Sequence, residues 1–288
     1  MTLLEDLAAL LDPLLGAEVA IENLRVLTGG ASRTTWAFDA VVGAERRPLI
    51  LRIGPPDDVH AGMELEARVQ AAAAAAGAPV PHILLADDSP AALGNPFLIC
   101  EEVKGETIVR RIQRQLDDPG RTRLLRQCAR ALAAIHRAEW NGLGLVREDP
   151  LGQWRDRLDS MGDTTATFEW AFRWLRARRP PPSTAVLVHG DFRMGNLIVD
   201  GSDLAAVLDW ELVHVGRHMR TWPGFVCGPG GSGLRRALAP AGWAASRACC
   251  RRMRKPAGPP SIGRRFAGGW YWPPCVGVSS VGTRRSAT

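Results

Sequence analysis

Apolar residues recur every three or four positions over residues 3–16, with Glu5, Asp6 and Asp12 between them. That spacing predicts an amphipathic helix, ended by Pro13 and Gly16. The period then falls to two. Residues 18–27, 34–42 and 47–53 read as three strands, the first two joined by a Gly-rich turn and the next two by Gly43-Ala44-Glu45. A helix is expected over about 61–76, with Glu64 and Glu66 near its start and an alanine run at its end. Two more strands follow at 82–86 and 96–103, split by the polar turn Asp87-Asp88-Ser89-Pro90. After Gly105 the pattern turns helical, with helices over 124–137 and 165–178, the second stopping before Pro180-Pro181-Pro182. Residues 184–210 are strand-rich again. A small sheet with a helix, then helices interrupted by a hairpin, predicts an α+β protein of two lobes.

Composition changes this picture in one place. At 46% apolar and 23% charged the chain is ordinary for a globular protein. No basic flank precedes an apolar run at the N-terminus, and no stretch has about 18 uninterrupted apolar residues, so neither a signal peptide nor a membrane span is expected. The expected location is the cytoplasm. The net charge of +6, however, is unevenly distributed. Residues 1–216 hold 23 Lys+Arg against 30 Asp+Glu, whereas residues 217–288 hold 13 Lys+Arg and no acidic residue. Four of the six cysteines, Cys227, Cys249, Cys250 and Cys275, lie in that tail. Cys100 and Cys128 sit in apolar surroundings and read as buried thiols, and no cysteine pair is spaced with histidines as a zinc site requires.

The chemistry concentrates in Val188-His189-Gly190-Asp191-Phe192-Arg193-Met194-Gly195-Asn196. It carries the H-x-D, four residues, Asn spacing of a phosphoryl-transfer catalytic loop. Such transfer needs a carboxylate beside the acceptor hydroxyl and neutral and acidic oxygens on magnesium. Asp191 and Asn196 supply the first two from one loop. Asp209, in Val207-Leu208-Asp209-Trp210-Glu211, ends an apolar strand where a second metal ligand would stand. Each residue alone could be a turn acid, a cap or a strand terminator; the two matches in this order make that reading weak. Upstream, Gly29, Gly30 and Ser32 fit a phosphate-covering loop as well as a plain hairpin turn. Arg52, at the end of an apolar strand, is either a surface charge or the cation that pairs with nucleotide phosphates and a helix glutamate. Glu66 is the candidate glutamate and Glu64 its competitor. Arginine keeps the charge of the usual lysine and can clamp phosphate in a bidentate way. His136 reads as structural, and His189 as a hydrogen-bonded support for the loop.

These segments together resemble the aminoglycoside phosphotransferase and choline kinase superfamily, and within it the branch found with, or fused to, acyl-CoA dehydrogenases. The segments 27–32, 48–52, 80–81, 96–105 and 132–136 carry the same resemblance, which covers residues 1 to about 216. It implies a bilobal protein-kinase-like fold: a small β-sheet lobe over 1–103 and a mainly helical lobe over 104–216, with ATP between them. Asp191 would be the base and Asn196 and Asp209 the magnesium (Mg2+) ligands. The backbone near Glu101 and Val103 would meet adenine. The implied activity moves the γ-phosphoryl of Mg-ATP to a hydroxyl of a small metabolite, with a hydroxyacyl-CoA suggested by the branch and a functional association with acyl-CoA dehydrogenase. The alternative is a catalytically dead, nucleotide-binding remnant.

The remnant reading arises because the pattern breaks after Gly216. Codons for 219–227, read from each third base, permit Ala-Asp-Leu-Ala-Trp-Leu-Arg-Leu, the kind of helix the family shows there. With 34 Arg and two Lys, the chain suits a GC-rich gene, and shifted GC-rich frames are rich in Arg, Gly, Pro, Ala, Cys and Trp. The tail 217–288 therefore reads as out of frame and irregular, with only 234–247 resembling a helix. A nucleic-acid-binding arm is the competing account; it would favour lysine and a coherent motif. Loss of the following helices would leave apolar surface uncovered on the catalytic hairpin and on helix 124–137.

Overall fold

The computed structural model describes residues 2–27, 33–55, 61–145, 147, 149–181 and 183–217. These all fall within one compact unit, Met1–Met253. The expectations for Gly29, Gly30, Ser32 and the tail beyond Arg217 lie outside the described residues.

The chain starts with α1 (Leu3–Leu15), opened by a capping box in which Thr2 and Glu5 satisfy each other's backbone amides. Pro13 lies inside this helix and does not end it. A proline there leaves the carbonyl four residues earlier without an amide; that residue, Ala9, is exposed, so water can take the place. Gly16, at φ 69°, is the actual stop.

Next come β1 (Ala20–Leu27), β2 (Thr34–Val42), β3 (Glu45–Ile53), α2 (Met63–Ala75), β4 (Ile83–Asp87) and β5 (Phe97–Glu101). The five strands form one antiparallel sheet in the order β1-β2-β3-β5-β4. Alternation along each strand sends two sets of side chains to opposite faces. Phe38, Ala40, Leu49, Leu51, Phe97 and Ile99 form a core with Leu7 and Leu11 of α1. Each such leucine, fully buried, contributes about 1.5–3 kcal/mol. Leu98 and Cys100 pack on the other face with Met63 of α2. Arg52 follows Leu51 on β3 and shares that second parity, so it faces α2. This alternation positions half of the site.

The second half follows Gly105. At φ 144° this residue sits where a Cβ would lie 2.5 Å from Ile198 Cγ2 and 2.9 Å from the Val199 carbonyl oxygen. Glu106 and Val199 then exchange backbone hydrogen bonds of 2.8 and 3.0 Å, which ties the linker to the later hairpin. The helices are α3 (Val109–Gln115), α4 (Asp118–Ile135), α5 (Pro150–Ser160) and α6 (Ala166–Ala177). β6 (Val186–Val188) pairs with β9 (His214–Gly216), and β7 (Leu197–Asp200) with β8 (Asp203–Val207), all antiparallel.

α4 begins six residues before the predicted start because Asp117 caps it by accepting from Gly120 N at 2.8 Å. Its apolar face is covered, contrary to expectation: Leu124, Cys128, Ala131, Leu132 and Ile135 pack with Val69 and Ala73 of α2 and with Leu187, Leu197 and Val207. Exposed apolar surface lies instead on and beside α5 and α6, at Trp154, Met161, Phe168 and Trp170. Among the described residues no helix is long and apolar enough to cross a membrane.

Candidate active site

Between β6 and β7 the chain makes the loop His189–Asn196, closed by a single 3₁₀ turn, Met194–Asn196. Its geometry depends on Gly190. At φ 89°, a Cβ on this residue would collide with the Leu212 carbonyl oxygen. Only glycine lets the loop lie this close to the segment after β8.

Asp191 projects from this turn with 29% of its side chain exposed. Its Oδ2 accepts from Arg193 Nε at 2.7 Å and from Asn196 Nδ2 at 2.8 Å. The Asn196 amide also donates to the Asp191 carbonyl at 3.0 Å. The donor end of Asn196 is thus turned toward Asp191, and its oxygen is the end left for a cation. Gly195 makes room for the arginine, since a Cβ there would lie 2.7 Å from Arg193 Nη1.

His189 is fully buried and joins this loop to the strand before Asp209. Its Nδ1 accepts from the Asp191 amide at 3.3 Å, so its proton sits on Nε2, which donates to the Leu208 carbonyl at 2.9 Å. Burial lowers its pKa to about 4, against smaller upward pulls from the Leu208 carbonyl, Asp209 and Asp191. The ring is therefore neutral at physiological pH. Trp210 packs at 4.6 Å from it, and the indole donates to the Val207 carbonyl at 3.1 Å. Leu208 N donates to the Asn196 carbonyl at 2.8 Å, so the two candidate ligand-bearing segments are hydrogen-bonded directly. Asp209 takes φ 68°, a left-handed conformation that costs roughly 1–2 kcal/mol for a residue other than glycine. Such outliers concentrate where a side chain must be aimed.

Arg52 reaches this segment from the sheet. Its Nη1 donates to Glu66 Oε2 at 3.0 Å, and its Nη2 lies 3.4 Å from Asp209 Oδ1. Glu66 is completely buried, whereas Glu64 is exposed, which selects Glu66 as the partner. Burial raises the Glu66 pKa, opposed by Arg52 and Arg33. A second link crosses nearby, from Ala61 N to the Glu211 carbonyl at 2.8 Å.

The structure thus brings Arg52, Glu66, Asp191, Asn196 and Asp209 into one connected set. Glu101 and Val103 stand apart from it, at the end of β5 and the start of the linker. The Glu101 carboxylate faces Arg47 at 3.3 Å and His82 at 3.7 Å. Two residues that sequence reasoning did not assign join the set: Arg193 on Asp191, and Arg33 on Glu66. Arg193 stands inside the motif already singled out, so proximity to Asp191 was the available signal.

A model of the phosphotransferase enzyme family matches residues 23–218. An Arabidopsis thaliana protein named as an acyl-CoA dehydrogenase, IBR3, is 28% identical over 215 residues, covering 66% of this chain and 26% of its own length. The chain spans about a quarter or less of the curated relatives it matches, which are acyl-CoA dehydrogenase family members. A crystal structure described as an aminoglycoside phosphotransferase from Ralstonia eutropha is 21% identical, with a TM-score of 0.67 over 88% of this chain and 81% of its own. A ternary complex of aminoglycoside phosphotransferase APH(4)-Ia with AMP-PNP and hygromycin B is 19% identical, with a TM-score of 0.56 over 86% of this chain and 88% of its own. At these identities the structural likeness establishes the kinase-like, two-lobed α+β fold. With the matched span covering both the sheet and the catalytic-loop motif, the chain belongs to the phosphotransferase enzyme family.

Proposed function

We propose that this protein transfers the γ-phosphoryl group of ATP to a hydroxyl of a small metabolite, with Asp191 as base. The observation that carries the reading is Arg52, which spans from buried Glu66 to Asp209 and so aims a cation at the place where the catalytic-loop and hairpin segments meet. The ternary complex of APH(4)-Ia with AMP-PNP supports a nucleotide as a ligand of this fold.

The donor set suits magnesium. A neutral amide oxygen on Asn196 and a carboxylate on Asp209 are hard ligands, and magnesium bound with phosphates needs only one or two from protein. Bound Mg-ATP would supply the phosphoryl group and neutralise its developing charge. Asp191 would take the acceptor's hydroxyl proton on the oxygen not committed to Arg193 and Asn196. Arg52, paired with Glu66 in the free protein, would turn its guanidinium to the phosphates when nucleotide binds. Gly29, Gly30 and Ser32 would cover the phosphates, and the backbone at Glu101 and Val103 would hold the base. The acyl-CoA dehydrogenase relatives favour a hydroxyacyl-CoA as acceptor and a working association with such a dehydrogenase.

Asp191→Asn should keep nucleotide affinity and lower turnover by about 10²–10⁴-fold, the range of general base catalysis. Asp209→Asn should instead show a defect partly relieved by raising magnesium. Steady-state ATP turnover with a matched acceptor, across a magnesium titration, separates the two. Near-normal turnover in Asp191→Asn would refute the role of the loop. Nucleotide binding without turnover in the unaltered chain would favour the remnant reading, for which the break in family pattern after Gly216 speaks.

A further inference from the structure

Glu66 has no side-chain exposure, yet it faces two guanidinium groups where neutralisation needs one. Arg52 holds Oε2, and Arg33 Nη1 holds Oε1. With Asp209 beyond Arg52, the four side chains form an alternating chain: Arg33, Glu66, Arg52, Asp209. The Arg33 side chain is nearly buried, 8% exposed. Its Nη2 donates to the Ala61 carbonyl at 2.9 Å, the residue whose amide meets Glu211. Its stem crosses Gly54, where a Cβ would lie 2.9 Å from Arg33 Cγ. A guanidinium seated this deeply, with a carboxylate, a carbonyl and a glycine matched to it, is fixed in direction.

We propose that Arg33 is a positioning residue: it holds the buried carboxylate of Glu66 so that Arg52 is free to turn toward a triphosphate. This rests on the phosphotransferase reading. Arg52 has two calls on it in this structure, Glu66 and Asp209, and a ligand phosphate would make a third. Were Arg52 the sole partner of Glu66, its departure would strand a buried charge, which is strongly unfavourable. Arg33 removes that penalty, because one guanidinium stays on the carboxylate whatever Arg52 does. It also lies directly before β2, so the same contact ties the start of that strand to α2.

The test is calorimetric binding of ATP and of adenosine, in magnesium buffer, to the full 288-residue chain. Arg33→Met should weaken ATP on the order of ten-fold, the size of a moderate coupling between sites, and leave adenosine unchanged. Arg33→Lys, which keeps the charge, should lie near the unaltered protein. Arg33→Met with Glu66→Gln should regain ATP affinity, since no stranded charge then competes for Arg52. Unchanged ATP affinity in Arg33→Met, or equal losses for ATP and adenosine, would overturn the proposal. So would failure of Glu66→Gln to rescue, which would mean that Arg33 meets phosphate itself. If Arg33→Met does not fold, an Arg33→Lys protein that folds yet loses ATP binding selectively would also overturn it. Absence of ATP binding by the unaltered chain would refute the phosphotransferase reading first, and the positioning role with it.

Discussion

His189 should make the loop His189–Asn196 acid-sensitive, by an amount that follows from its surroundings. Burial lowers its pKa from 6.5 to about 4. Between those values the unfolded chain binds a proton that the folded chain excludes, so stability rises with pH across this window. The contribution is complete above pH 6.5 and is lost as pH falls toward 4. A shift of that size corresponds to about 3 kcal/mol by pH 4. Protonation would put hydrogen on Nδ1, facing the Asp191 amide it now accepts from, so the loss falls on the loop itself.

Glu66 works against this. Its folded pKa is raised by burial, so it contributes stability at low pH that declines as pH rises above its unfolded value. The two slopes oppose each other and must be separated. The comparison is therefore between Glu66→Gln and the double variant Glu66→Gln/His189→Gln, with urea unfolding measured at intervals from pH 4 to 7.5. The glutamine at 189 keeps a donor for the Leu208 carbonyl and does not titrate. From pH 7 to pH 4 the histidine protein should lose about 3 kcal/mol more than the glutamine protein. Parallel pH profiles would refute the assignment of His189 as a buried neutral tautomer bridging the two segments.

Gly190→Ala should lose about 2–5 kcal/mol, from left-handed backbone strain added to a clash with the Leu212 carbonyl that no rotamer can relieve; a denaturant titration without that loss would show that the loop can move away. Cys100, 7% exposed and with its thiol pushed up to about 12, should resist iodoacetamide at pH 8 in the native chain and react once unfolded, as mass spectrometry would read.

What the sequence made legible follows from how local each signal is. β2 was legible at its observed bounds because a run of β-branched, aromatic and small apolar residues is set off by turn residues on both sides. The missed elements lack that signal. α3 and α5 run only 7 and 11 residues, and their few apolar positions are set among charged and polar ones, so the periodic signal is short. The choice between Glu66 and Glu64 was open to the pattern, since Met63, Glu66, Val69, Gln70 and Ala73 form the buried stripe of α2 and Glu64 falls off it. Asp191 and Asn196 were legible because one loop carries both. Arg33 was not, because its carboxylate lies 33 residues away and the contact depends on strand parity and on where α2 lands.

The same locality decides what an altered reading frame after Gly216 would cost. The family match ends at residue 218, and 217–288 has no acidic residue. Every side chain of the connected set, from Arg33 to Asp209, lies upstream of that point, and the β6–β9 pair closes behind it at Gly216. Arg217 Nη2 donates to the Pro180 carbonyl at 2.9 Å. Trp170 on α6 and Trp154 on α5 are 65% and 66% exposed. Under the proposed reading, the side chains that would meet phosphate all lie upstream of residue 217, so a change of frame beyond it would leave their identities unaltered. ATP affinity and its response to Arg33 and Glu66 should therefore follow the upstream residues, while use of an acceptor should follow the frame.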